Sequence, residues 1–247
     1  TWETATWETA TWETQKLPIN DADGKPLKTQ EEQANRWKEH FQAVLNCSEP
    51  NDNQDLDTGC GEKLKIEDGD ITIEEVIRAI KKLKNGKSAG VDGIQAELLK
   101  NGGDEMVKKI TTLCNQVWKL EQVPKDWKDG IIIPLPKKGD LKDCNNWRGI
   151  ALLSVPGKVM SGIILERIKA AIDCSLRQQQ AGFRKGRSCC DQIFTLRHII
   201  EKVTALDTNL IINFIDFKKA FDCLHRPAVW KILTCYGIPE KIIRVIQ

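Results

Sequence analysis

Residues 212–226 read INFIDFKKAFDCLHR, and the reading of this stretch decides the rest. An apolar run, Ile211-Ile212-Asn213-Phe214-Ile215, leads straight into Asp216, with Phe221 five positions on and Asp222 six. Isoleucine and phenylalanine fit a pleated, buried surface, so the run predicts a strand over 209–216. A strand that ends in a carboxylate holds negative charge rigidly at a cleft. Taken alone, an aspartate in this position is more often a helix cap or a surface charge, so the remainder of the chain has to supply its meaning.

The 247 residues are enough for one large domain or two small ones. A hydrophobic content of 40% and a charged content of 29% fit an ordinary globular protein. No apolar run reaches the roughly 18–20 residues of a membrane span, and no signal-peptide pattern opens the chain. The nine cysteines are odd in number and include no C-x-x-C, and histidines number three. This argues against a zinc site and for reduced thiols in an intracellular compartment. Thr1 in place of a methionine, and a stop at Gln247 within a helix-like stretch, suggest a fragment at both ends.

Net charge is +2, but its distribution is uneven: residues 1–75 hold 7 Lys+Arg against 18 Asp+Glu, and residues 76–247 hold 30 against 17. A basic body suits a polyanionic partner such as nucleic acid. A Lys-rich solvated surface would look the same by charge alone.

TWETATWETATWETQ at residues 1–15 is a five-residue unit in three copies. Its tryptophans, about 140° apart on a helix, form no single face, so the repeat is expected to be disordered. Asp21, Asp23 and Glu32 fall on calcium-loop positions, but Pro26 occupies the place of the obligatory glycine, which excludes that loop. Thr29 with Glu32 and Thr72 with Glu75 are capping boxes. The first opens a helix with Ala34, Trp37, Phe41, Val44 and Leu45 on one face. The second opens a helix with Ile73, Val76, Ile77, Ile80 and Leu83 inward, stopping near Gly86. The loop NGKSAGVDGI, with Lys84 just before it and Lys87 within it, lacks the P-loop spacing. Further helices are expected over about 104–120, 155–172, 188–204 and 226–236. GIIIPLP reads as a proline-broken edge strand. Cys189-Cys190 reads as helix packing. The fold class is α+β.

Asp216-Phe217-Lys218-Lys219-Ala220-Phe221-Asp222 resembles motif A of reverse transcriptases. Other stretches resemble non-LTR (LINE-type) retrotransposon reverse transcriptases in the same order along the chain. NGKSAGVDGIQAELLK is similar to the segment before their fingers, IIIPLPKKGDLKDCNNWRGIALLSVPGKVMSGIILERI to their first fingers motif, and QQQAGFRKGRSCCDQI to the second. DADGKPLKTQEEQANRWKEHFQAVLN looks like the link between their endonuclease and polymerase. The resemblance spans roughly 17–247. After the repeat at 1–15, whose expected disorder comes from its spacing alone, it implies a linker segment with one helix at 16–70, an N-terminal extension and fingers at 71–208, and the start of a palm at 209–247.

The resemblance also implies roles. Asp216 would bind both Mg2+ ions of a two-metal site, with the backbone carbonyl of Phe217 as a further ligand; magnesium favours hard oxygen donors. Lys137 and Arg148 would hold the incoming deoxynucleoside triphosphate, a point charge and a fork for phosphate oxygens. Many relatives carry Arg-Pro where this chain has Arg148-Gly149. Phe221 would pack under the sugar and exclude a 2′ hydroxyl. Arg184, Lys185 and Arg187, beside Gly182 and Gly186, would lie near the template. Asp222 reads as structural.

The same family needs a Tyr-x-Asp-Asp hairpin. The single tyrosine, Tyr236, precedes Gly237-Ile238-Pro239, and no Asp-Asp occurs. The resemblance therefore implies an RNA-directed DNA polymerase extending a DNA primer on an RNA template, while the residue inventory implies that these residues are inactive alone. The alternative is a non-catalytic or vestigial nucleic-acid-binding protein derived from a retrotransposon.

Overall fold

A computed structural model of the chain describes residues 19–46, 63–217 and 219–247. The expected disorder of residues 1–15 lies outside them. The helices are α1 (Gln30–Leu45), α2 (Ile73–Lys82), α3 (Ala96–Asn101), α4 (Gly103–Leu120), α5 (Lys125–Lys128), α6 (Val155–Ile172), α7 (Cys189–Ala205), α8 (Arg226–Cys235) and α9 (Glu240–Ile246). Strands β1 (Gly130–Pro136) and β2 (Trp147–Leu153) pair antiparallel, with Gly130 opposite Leu153 and Pro136 opposite Trp147. The fold is α+β, with helices predominating among the described residues.

Both expected capping boxes form: Thr29 and Thr72 accept from the amides of Glu32 and Glu75, whose carboxylates accept from the cap amides in return. Each satisfies two of the amides a helix start leaves orphaned. α1 buries Trp37, Phe41 and Val44, and also His40, while Ala34 is exposed; α2 buries Val76 and Ile80, while Ile73 is exposed. Asp21 folds its own turn, accepting from the amides of Asp23 at 2.9 Å and Lys25 at 2.8 Å.

The main core gathers Val76 and Ile80 of α2, Cys114, Val117 and Trp118 of α4, and Val159, Met160 and Ile163 of α6. Ile242, Ile243 and Val245 of α9, expected with the palm segment, close the same core. Arg167 of α6 pins the segment before α2 to this core. Its side chain is 4% exposed, and the guanidinium donates to both oxygens of Glu75 at 2.6 and 2.7 Å and to the carbonyls of Gly69 and Asp70, and lies over the Trp118 ring at 5.1 Å. A second cluster joins Ile19, Trp37 and Phe41 to Cys144 and Trp147, so α1 backs onto the β1–β2 hairpin.

The glycine-punctuated loop before α3 is a brace. A Cβ on Gly90 would come within 2.5 Å of the Leu153–Ser154 backbone, so only glycine permits the approach. Asp92 then accepts from the Ser154 hydroxyl at 2.7 Å, and that hydroxyl caps α6 through the Gly157 amide.

Two expectations are corrected. No strand forms over 209–216; these residues are irregular and exposed, Phe214 at 82%. A strand needs a ladder partner, and among the described residues β1 and β2 pair only with each other. Cys189 and Cys190 are exposed in the first turn of α7, and α7 has no buried residue at all, so they do not pack a core.

Candidate active site and nucleic-acid interface

The hairpin arranges its two cations by parity. Arg148 lies opposite Leu135, and the Lys137 amide donates to the Asn146 carbonyl at 2.7 Å, which continues the register by one pair. Residues 135, 137, 146 and 148 therefore share a face, with Lys137 and Arg148 as diagonal neighbours. Both are exposed, and Lys137 Nζ donates to the Asn145 carbonyl at 3.4 Å. The other face carries Trp147, buried against α1, and Gly149, where a Cβ would meet Phe41 Cε1 at 2.6 Å.

The second basic element is the loop from the single 3-10 turn Asp173–Ser175 to α7. Arg184 is its internal strut. With a side chain 5% exposed, it donates Nε to Asp173 Oδ1 at 2.9 Å and Nη2 to Oδ2 at 3.1 Å, and Nη1 to the Arg177 carbonyl at 2.8 Å. This bidentate bond holds the Asp173 carboxyl below the usual carboxylate range. Its fork is thus occupied within the protein. Lys185 is exposed, and Arg187, also exposed, donates to Gln178 Oε1. Gly186 adopts φ +74°, which glycine takes without cost; Phe183 adopts φ +60°, an uncommon conformation for an aromatic residue.

Phe183 meets the motif that opened the reading. Its ring packs edge-to-face on Phe221, centroids 6.0 Å apart, although Phe183 is 94% and Phe221 74% exposed. The turn holding Phe221 is closed by the amides of Asp222 and Cys223 on the Lys219 carbonyl. It also touches α1, since Cys223 Sγ donates to the Val44 carbonyl at 3.5 Å. Burial, with a smaller contribution from the Lys219 charge, pushes the His40 imidazole down to about 4.

Asp216 and Phe217 lie on the exposed segment before this turn, and Asp216 makes no hydrogen bond or ion pair among the described residues. Nor does any bond join it to Lys137 or Arg148. A free carboxylate beside a backbone carbonyl can supply part of an octahedral oxygen shell. Among the described residues no three His, Cys, Asp or Glu side chains come together, so the residues present fit one anchoring carboxylate and not a complete two-ion cage. Phe183, Asp173 and His40 were not singled out by sequence. Only Phe183 carried a signal, its place one residue after Gly182 in a basic loop.

Residues 135–247 match the family described as reverse transcriptase (RNA-dependent DNA polymerase). This part of the chain belongs to the reverse transcriptase family. Every residue singled out above for metal, nucleotide or template lies inside the matched span. Among curated relatives, the chain is 29% identical over 91% of its length to a probable RNA-directed DNA polymerase from transposon BS of Drosophila melanogaster. It is 31% identical over 69% to a putative 115 kDa protein of the type-1 retrotransposable element R1DM of the same species, and 26% identical over 72% to an uncharacterised 149 kDa transposon TX1 protein of Xenopus laevis. The chain spans 26%, 17% and 14% of those three relatives. The reverse transcriptases of non-LTR retrotransposons are thus its kin, as the motifs implied. No helix among the described residues is long and apolar enough to cross a membrane.

Proposed function

We propose that this chain is the fingers and first palm segment of an RNA-directed DNA polymerase that extends a DNA primer on an RNA template. The contact that carries the reading is Phe183 on Phe221, because it seats motif A's aromatic residue against the loop bearing Lys185 and Arg187. A nucleotide whose sugar lies on Phe221 would then have the template-side cations as neighbours.

Lys137 and Arg148, side by side on one hairpin face, bind and orient triphosphate oxygens. Lys185 and Arg187 offset the charge of the template backbone, while Arg184, spent on Asp173, shapes the loop that presents them. Asp216 and the Phe217 carbonyl would hold Mg2+, which when bound stabilises the attacking 3′ oxygen and the leaving pyrophosphate. With no Asp-Asp in these 247 residues, the chain on its own binds Mg2+ weakly and does not polymerise.

The test is nucleotide choice. In a polypeptide carrying this chain together with a Tyr-x-Asp-Asp palm, Phe221→Val should retain primer extension and begin to incorporate ribonucleotides, since the sugar's 2′ position gains room. Unchanged exclusion of ribonucleotides would remove Phe221, and the site built around it, from the reading.

A further inference from the structure

Between α2 and α6 runs a groove of about 320 Å³. Helical spacing builds it: Arg78 and Lys82 lie one turn apart on α2, and Lys158, Gly162 and Glu166 follow at intervals of four on α6. Gly162 leaves the floor open, with Ala79 Cβ 3.9 Å from where its own Cβ would stand.

The groove's charges do not cancel. Its two carboxylates are both engaged: Glu75 by the buried fork of Arg167, and Glu166 by Lys82 at 3.0 Å. The side chains of Arg78 and Lys158 remain, and neither makes a hydrogen bond or ion pair among the described residues. The positive field also extends beyond the groove. Glu166 is held below the usual carboxylate range by its bond to Lys82, with further contributions from the charges of Lys169 and Lys185. Lys169 continues the α6 stripe, so Lys158 to Lys169 spans about 17 Å at 1.5 Å per residue. Its far end adjoins the loop that presents Lys185, because Asp173, directly after α6, is the carboxylate that Arg184 of that loop grips.

We infer that the α2–α6 groove is a second nucleic-acid backbone site, in which Arg78 and Lys158 hold phosphodiesters of the strand that the Lys185–Arg187 loop contacts. The proposal rests on that loop's reading as a template contact and extends the track from the fingers onto the segment that precedes them. It calls for phosphate rather than bases, because the free groups are cations and no aromatic ring lines the groove. Lys82 is a reserve: released from Glu166, it becomes a third free cation.

The experiment is a salt titration of the full 247-residue chain binding labelled oligouridylate. Replacing Arg78→Gln and Lys158→Gln together should lower the slope of log affinity against log salt by about 1.4, two single-strand phosphate contacts at about 0.7 each. Arg78→Lys with Lys158→Arg should restore it. Glu166→Gln should instead tighten binding and steepen the slope by about 0.7, as Lys82 is freed. Glu105→Gln, which breaks a similar exposed pair with Lys108 on α4, should leave the slope unchanged. A slope unaltered by the groove pair, while Lys185→Ala with Arg187→Ala still lowers it, would overturn the groove and leave the loop reading standing. A slope lowered by the groove pair but not by the loop pair would overturn the continuous track. Displacement of the RNA by polyglutamate of equal charge would mean an acidic peptide site. No RNA binding at all would remove both readings.

Discussion

Gly149 stands where a side chain has no room, and the ring that fills the space is Phe41 of α1. The glycine that departs from the Arg-Pro of many relatives is therefore matched to the helix behind the hairpin. Gly149→Ala should cost about 1–3 kcal/mol, as overpacking of a filled core does. In a Phe41→Leu background the same change should cost much less, because the ring edge is gone; denaturant melts of the four proteins measure the coupling. Strictly additive costs would mean the contact is not the reason for the glycine. Arg167 is the opposite case, a buried charge whose every neighbour depends on it. Arg167→Ala should destabilise by about 3 kcal/mol, since the half-buried Glu75 loses its charged partner and keeps only the Thr72 amide. The Arg167 hydrogen bonds hold Glu75 below the usual carboxylate range. A carboxyl depressed in the folded state stabilises above its unfolded pKa, about 4.5, and that stability is lost as pH falls through the folded value. Thermal melts from neutral to acid pH should show this loss in the native chain, and less of it in Glu75→Gln.

Elements differ in how far sequence alone reveals them. The capping boxes at Thr29 and Thr72 and the apolar spacing of α4 and α6 are local signals, and those helices form close to the expected bounds. The stretch 209–216 has an equally strong local signal, but a strand is completed by a neighbour, which local pattern does not supply. The partner of β1 went unread because Trp147-Arg148-Gly149 carries a glycine and a charge, and only the pairing makes it a strand. In the site, the family resemblance pointed to Asp216, Lys137 and Arg148, whereas the Asp173–Arg184 strut and the Phe183–Phe221 pair depend on distant segments meeting. Hydrogen exchange separates the two kinds of element. Amides of 130–136 paired in the hairpin should be protected, and those of 211–217 should exchange at close to unstructured rates. Protection across 211–215 would show a ladder there and restore the strand.

At the scale of the molecule, three exposed features lie outside the two buried clusters. These are the Lys137–Arg148 hairpin face, the Lys185–Arg187 loop with its aromatic pair, and the apolar segment that ends in Asp216. Large apolar side chains left open beside a carboxylate, Ile211, Phe214 and Ile215 among them, mark a surface made for contact. Under the proposed function, Asp216 at the end of this segment stands where a metal ion and nucleotide phosphates meet. The decisive measurement is primer extension on an RNA template by a polypeptide joining this chain to a Tyr-x-Asp-Asp palm, with Asp216 or with Asp216→Asn. The substitution removes one charge with almost no change of shape, so template binding and melting temperature should hold while extension is abolished. Extension at the unaltered rate by Asp216→Asn would contradict the metal-site assignment and leave Asp216 a surface carboxylate.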